Sequence, residues 1–551
     1  MVSNKTLWSL LLIITFIWFG PIDYRKLAKP DEARYAEISR EMVASGDWLT
    51  PRLNDLKYFE KPPLQYWATA VAFEVFGLSE GPARLWTALT GFAGILLTYF
   101  AGRQLYGRQQ GYFAAVVLVS SLWYALLGHI NTLDMGLTFF LTVGVLSLLL
   151  AQREHADARQ QRNWMLMAWS GMALAVMSKG LIGIVLPGAA LVLYSLINRD
   201  ARIWTRLHLG KGLLLFLLVT APWFVAVSRA NPEFAQFFFI HEHFDRFAKN
   251  EHAREGAIYY FVPILIGGIL PWLGCLFPAL TRGWKIERGF GPYRFHPNRF
   301  LLIWCAFVFA FFSISKSKLP AYLLPIFPAL ALLIGQYLDA IEEKKIFWQV
   351  VPISLCALAL VIAIPFVLQR LPADNVAAEF NMMNLHFAYW LMAAFGVLFI
   401  GATQALRLLT QQDKVMGVAT VGIAALVAWQ LTWMGYETQS PLQSSYDIAR
   451  KIRPYIKPDT PIYNIGTYDQ ALPFYLQRSV TLVNYQDELA LGIKQEPQKW
   501  IPTVEEFISK WYRDEAAVAL MPTHVYQSLR KEHLLMQVIA DDGRRVIIKK
   551  P

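Results

Sequence analysis

The sequence predicts a polytopic α-helical membrane protein that ends in a small α/β domain outside the membrane. Three observations carry that prediction. The chain of 551 residues is 55% hydrophobic and only 17% charged, against about 25% charged for an ordinary soluble domain. Apolar stretches of about 17 to 25 residues, each long enough to cross a ~30 Å hydrocarbon core as a helix, recur up to about residue 436. Beyond Gly435 the pattern changes to short apolar runs alternating with amphipathic ones. This composition excludes a disordered chain, a coiled coil and a single water-soluble domain.

The first apolar run, Leu7 to Gly20, is preceded by Lys5 and is followed by no small-residue cleavage pattern, so it is expected to remain as an uncleaved signal anchor. Further spans are expected near 84–102, 109–127, 134–151, 164–178, 180–197, 210–228, 258–280, 300–314, 319–338, 347–368, 386–406 and 415–435, which makes thirteen. With a cytoplasmic N-terminus the inner links hold most of the basic residues, among them Arg103, Arg108, Arg153, Arg202, Lys285, Lys344 and Arg407. That asymmetry satisfies the positive-inside rule and puts the C-terminus outside. The net charge of +11, from 51 Lys plus Arg against 40 Asp plus Glu, is thus a topology signal, and no nucleic acid partner is expected. Cys275, Cys305 and Cys356 all sit inside apolar segments and form neither a disulfide framework nor a zinc knuckle.

The expected organisation is a membrane domain over residues 1–436, with a first outer loop at 21–81, and an α/β domain over 437–551. In the loop, Pro30 followed by Asp31 and Glu32 is a helix start. Ala33, Tyr35, Ile38 and Met42 then recur at helical spacing, which predicts an amphipathic helix lying on the membrane surface. In the tail, strands are expected at 461–465, 480–484, 517–521 and 536–539, and helices at 470–477, 503–513 and 523–533. Asp541-Asp542-Gly543 reads as a hairpin turn.

Charges at the outer ends of apolar helices are the informative ones. Lys179, Lys316, Lys318 and Asp134 stand at such mouths, where a charge faces a cavity or a partner or, in the ordinary case, snorkels to the interface. With the loops included, this side offers the cations Arg34, Lys61, Lys179, Arg246, Lys316 and Lys318 beside the acids Asp31, Glu32, Glu60 and Asp134. Cations among a few carboxylates suit phosphate, which Arg grips in a fork and Lys holds as a point charge. Phosphates at the outer leaflet of a membrane point to lipid phosphates.

Three motifs, Lys29-Pro30-Asp31-Glu32-Ala33-Arg34-Tyr35-Ala36-Glu37, Phe59-Glu60-Lys61-Pro62-Pro63-Leu64 and His129-Ile130-Asn131-Thr132-Leu133-Asp134, resemble the bacterial branch of the protein-mannosyltransferase superfamily. These are integral membrane glycosyltransferases of the GT-C fold, and within them the sequence is most similar to the 4-amino-4-deoxy-L-arabinose lipid A transferases. The resemblance implies a pentosyltransferase with an undecaprenyl phosphate-aminoarabinose donor and a lipid A phosphate as acceptor. It further implies transfer at the periplasmic face of the inner membrane, resistance to polymyxin, surrounding membrane lipids as partners and a monomeric protein.

The same resemblance gives Asp31 the role of principal catalytic or sugar-positioning carboxylate, with Glu32 a weaker neighbour and Asp134 the second acidic position. Alone, Asp31 would be an ordinary first-turn acid and Asp134 a helix cap. Lys61, Arg246 and Tyr35 resemble the ligands of the polyprenyl phosphate, with Arg34, Lys179, Lys316, Lys318 and Tyr322 as second contacts. No organic cofactor is expected. Glu60 and His241 suit zinc or manganese in a structural or electrostatic role. Two further readings stay open: a polyprenyl-phosphate-sugar transferase acting on protein or another envelope glycan, and a polyprenol or lipid flippase. A flippase tends to show internal repeats and interrupted helices at the midplane, whereas the acids and bases here gather at one face.

Overall fold

A computed structural model describes residues 3–153, 156–199, 201–245, 256–285, 295–369 and 378–551. The chain divides into two compact units, Met1–Tyr24, Lys61–Leu64 and Arg84–Thr438 in the first, and Arg25–Glu60, Gln65–Ala83 and Gln439–Pro551 in the second.

The first unit is helical, and each expected span coincides with a helix or a broken pair of helices. Among the described residues, eight helices are long and apolar enough to cross a membrane, or nine if the bent pair Phe261–Gly268 and Leu273–Lys285 counts as one. Asn4–Phe19 and Ile182–Asn198 are apolar but shorter, so length and apolarity support fewer crossings than the thirteen expected.

Two expected spans are not continuous. The span at 258–280 bends by 105° between Phe261–Gly268 and Leu273–Lys285, because Pro271 has no N–H to continue the ladder. The Leu270 carbonyl freed there accepts from the Leu122 backbone N–H at 3.0 Å. The span at 109–127 is Arg108–Ser120 followed by Leu122–Leu127, with extended backbone at Ser121. In the last turn of the helix Asn4–Phe19, the fully buried Trp18 donates its indole N–H to the Ala88 carbonyl at 2.9 Å. A Cβ at Gly128 would come within 2.4 Å of that indole, so only glycine fits there.

The second unit joins the first outer loop to the tail. Its six-stranded sheet comprises β1 (Ile462–Ile465), β2 (Thr481–Val483), β3 (Trp500–Ile501), β4 (Val518–Pro522), β5 (Gln537–Asp541) and β6 (Arg545–Lys549), in spatial order β3-β2-β1-β4-β6-β5. Pairings from β3 to β4 are parallel, while β6 runs antiparallel to both β4 and β5. The β5–β6 turn is the expected one: Gly543 has φ +78° and its N–H bonds the Asp541 carboxylate at 2.8 Å. Thr503 caps the helix Val504–Arg513 by accepting from the Glu506 N–H. Phe507 and Trp511, one turn apart, enter the core against Tyr463, Val483, Ala519 and Ile548.

The loop helix forms where Pro30 and the acidic turn predict it, at Asp31–Ser45. Its setting differs from expectation: every residue from Glu32 to Met42 is buried, so it is a core helix of this unit and not one with a polar face in water. Its charges are satisfied internally, since Arg40 makes two 2.7 Å bonds to Glu37. Most of the loop, Arg25–Glu60 and Gln65–Ala83, thus falls in one compact unit with the tail, whereas a boundary at 436 groups it with the membrane helices. Asp469 accepts from Lys29 at 3.0 Å, Arg545 at 2.8 Å and Ser445 at 2.5 Å, which ties loop to sheet.

That network gives a pH-dependent prediction. Burial alone would raise the Asp469 carboxyl, but Lys29, Arg545 and the Ser445 hydroxyl hold it below the ordinary carboxylate range. A folded value below the unfolded one stabilises at pH above about 4 and is lost as pH falls through the folded value. Asp469→Asn is expected to cost about 3–5 kcal/mol at pH 7, the cost of breaking a buried pair. Thermal unfolding curves of variant and wild type should converge below pH ~4.

Candidate functional site

In the first unit the motif His129–Asp134 is a built turn. His129 is buried, with Nδ1 2.7 Å from the Ala125 carbonyl and Nε2 2.6 Å from the Trp18 carbonyl. This anchors the start of the helix Leu133–Ala151, whose first turn holds Asp134. Asp134 is buried and ion-paired with Lys179, the last residue of the helix Ala158–Lys179. The Lys179 ammonium also lies 4.8 Å from the ring centre of Tyr322, a cation–π distance. Tyr322 sits in the 3₁₀ turn Pro320–Ile326, which is fixed by Trp123 bonding the Pro320 carbonyl and Trp304 the Pro325 carbonyl, both at 3.0 Å. Three expected residues, Asp134, Lys179 and Tyr322, thus form one group.

Lys318 is buried and spends a hydrogen bond on the Ser315 carbonyl at 2.5 Å, whereas Lys316 is exposed. Lys61 pairs with the buried Glu242 at 2.8 Å. Sequence reasoning had not singled out Glu242; its only signal was a carboxylate flanked by His241 and His243 in an outer link. Arg246 lies outside the described residues, as does the side chain of His241 in the helical turn Gln236–Asp245.

In the second unit Asp31 occupies the first turn of its helix, with its side chain 40% exposed and one oxygen 3.1 Å from Arg34. Glu32 is buried, accepting from the Ala28 N–H at 3.1 Å and lying 3.8 Å from Arg25. It is therefore a cap of its own helix start. Arg34 is buried and pairs on its other side with Glu488 of the tail, a partner absent from the expected set. Burial, then the charge of Asp31, push the Tyr35 phenol well above its ordinary range, so it stays a neutral donor. Glu60 contributes to the field at Tyr58 and Tyr35. No group of three His, Cys, Asp or Glu positioned for a metal occurs among the described residues.

Each of Arg34, Lys61 and Lys179 already holds a carboxylate. These are positively charged groups preorganised by anions. For Lys61 and Lys179, a cation kept in place this way costs little reorganisation when an anionic ligand approaches.

Over residues 448–550 the chain matches the family described as aminoarabinose transferase C-terminal domain, and over 3–238 that of dolichyl-phosphate-mannose-protein mannosyltransferase. It is 30% identical to undecaprenyl phosphate-alpha-4-amino-4-deoxy-L-arabinose arabinosyl transferase 1 of Proteus mirabilis, across 99% of this chain and 95% of that one. The chain belongs to this arabinosyl transferase family. Among solved structures, ArnT from Cupriavidus metallidurans bound to undecaprenyl phosphate is 39% identical, with a TM-score of 0.92 over 100% of this chain and 98% of that one. The archaeal oligosaccharyltransferase AglB from Archaeoglobus fulgidus, 13% identical at a TM-score of 0.50 over 94% of this chain and 70% of that one, shares the fold. The arabinosyl transferase family thus accounts for both units, a GT-C membrane glycosyltransferase body and an α/β tail.

Proposed function

We propose that the protein transfers 4-amino-4-deoxy-L-arabinose from undecaprenyl phosphate to phosphate groups of lipid A, at the periplasmic face of the bacterial inner membrane. The observation that carries this reading is the similarity, along nearly the whole chain, to the Proteus mirabilis transferase and to ArnT bound to undecaprenyl phosphate. An acceptor phosphate oxygen attacks the anomeric carbon, the bond from that carbon to the undecaprenyl phosphate oxygen breaks, and undecaprenyl phosphate leaves with the electron pair. A single displacement inverts the anomeric centre.

In this reading Lys61 and Arg246 take the donor phosphate, which gains charge as it leaves and is stabilised by cations. Tyr35 assists them, and Lys179, Lys316, Lys318 and Tyr322 are second contacts. Arg34 is likewise a second contact of the donor, and Asp134 is the second catalytic acid. Asp31, the acid open to solvent, stabilises positive charge forming on the sugar. Attaching an ammonium to a lipid A phosphate offsets its negative charge, which weakens attraction for cationic peptides such as polymyxin. The protein acts as a monomer with its N-terminus in the cytoplasm.

Mass spectrometry of lipid A tests the reading, in cells that lack their own transferase but make the donor. The expected result is an aminoarabinose mass increment that depends on this protein. Modification of a protein or glycan in place of lipid A would move the acceptor to a hydroxyl. The divalent cation at Glu60 and His241 is part of the proposal in a structural role. Dialysis against EDTA should lower the melting temperature and zinc or manganese restore it; an unchanged melting temperature removes the metal.

A further inference from the structure

The group around Arg34 holds more negative charge than its own ion pairs need. Asp31 suffices to balance the guanidinium, yet Glu488 also pairs with it, and Asp487 adds a further carboxylate. Nearby, the charge of Glu37 is cancelled by Arg40. A second anion such as a phosphate is therefore disfavoured here, and a cation is favoured. The same group contains polar atoms with nothing to bond. The hydroxyls of Tyr58 and Tyr468 and the Nε of Arg34 are buried without a hydrogen-bond partner among the described residues. Tyr58 and Tyr468 are 2% and 4% exposed, and both lie within electrostatic reach of Arg34. Buried polar atoms left unpaired are costly, and they are expected where a ligand supplies the missing partners.

Resting on the transferase reading above, we infer that this group binds the protonated 4-amino substituent of the sugar, with Glu488 as its counter-ion. The ammonium has three donors, which the Glu488 carboxylate and the oxygens of Tyr58 and Tyr468 accept. Arg34 Nε donates to a sugar oxygen. Glu488 is itself held by Gln470 at 2.8 Å. Burial pushes its carboxyl up against the pull of Arg34 and Gln470, with Glu60 and Asp487 adding to the rise; a bound cation relieves that repulsion. The α/β tail, through Tyr468 and Glu488, thereby acts as the specificity element that demands an amino sugar.

The test compares two donors in the purified full-length protein with lipid A as acceptor: undecaprenyl phosphate carrying 4-amino-4-deoxy-L-arabinose, and the same lipid carrying L-arabinose, in which a hydroxyl replaces the ammonium. Wild type is expected to prefer the amino donor in kcat/KM. Glu488→Gln should reduce that preference by about 10- to 100-fold, the scale of a charge-assisted hydrogen bond. Tyr468→Phe should reduce it by about 3- to 10-fold. Because the Tyr468 hydroxyl has no hydrogen-bond partner among the described residues, this variant removes no bond described there and decides the matter even if Glu488→Gln folds poorly. Equal use of both donors by wild type, or variants that slow both donors in proportion, overturns the inference alone. Transfer of neither donor by wild type overturns the transferase reading and this inference with it.

Discussion

Asp31→Asn and Asp31→Ala are expected to lower turnover equally, by about 10²- to 10⁴-fold, with donor affinity within about threefold of wild type. Asn preserves the shape of the side chain and can still accept from Arg34 through its carbonyl oxygen, so it removes charge and little else. Ala removes both. If the two variants fall together, the requirement is for negative charge. Burial places most acids of the loop helix out of reach: Glu32, Glu37 and Glu41 are all buried. Asp31 is the acid of this helix that keeps solvent access while pinned by a guanidinium, which is the combination that a group acting on a sugar needs. In the proposed reaction the phosphate acceptor is already anionic at neutral pH, so the carboxylate is expected to work mainly on the charge developing at the anomeric carbon. Single-turnover kinetics with donor binding measured separately checks this. Asn with a tenth or more of wild-type turnover would exclude an obligatory carboxylate.

The legible parts of this protein are those written locally. Pro30 and the acids after it predict a helix that starts at Asp31, and the helix is there; Asp541-Asp542-Gly543 predicts a turn whose Gly543 has the expected left-handed backbone. The helix Val504–Arg513 carries its cap, its acidic first turn and its basic last turn in the sequence. What could not be read is set by residues far apart in the chain. The loop helix looks amphipathic because its acids and bases are on the page, while the partners that bury it are not adjacent: Lys29 meets Asp469 across 440 positions, and Arg34 meets Glu488 in the tail. The same distance hides the state of the candidate cations. Sequence shows Lys179 and Asp134 as two charges at helix mouths, but only the packing of Leu133–Ala151 beside Ala158–Lys179 makes them a pair. The bend at Pro271 is the converse case, in which the local signal was present and the length of the apolar run outweighed it.

Lys61→Ala is expected to produce two separable losses. The Lys61 ammonium is 2.8 Å from Glu242, whose side chain is only 3% exposed. Removing the lysine leaves a buried carboxylate without this counter-ion, which costs about 3–5 kcal/mol in stability and gives a lower melting temperature. Independently, donor affinity should drop about 10- to 100-fold, because a charge-assisted bond to phosphate is lost. Glu242→Gln added to Lys61→Ala separates them, since it removes the carboxylate charge that Lys61 had balanced and does not restore the lysine. The double variant should recover most of the lost melting temperature and none of the lost affinity, read by titration with undecaprenyl phosphate in detergent. Recovery of both together would make Lys61 a structural partner of Glu242 and take it out of the phosphate site. Glu242→Gln alone sharpens the comparison: it removes the Glu242 charge from beside the ammonium, so affinity for undecaprenyl phosphate should hold or rise even as the local packing loosens. A fall in affinity would show that the carboxylate is needed to aim the lysine, because a positioned cation stabilises a leaving phosphate without reorganising during the reaction, whereas a loose one must first be found.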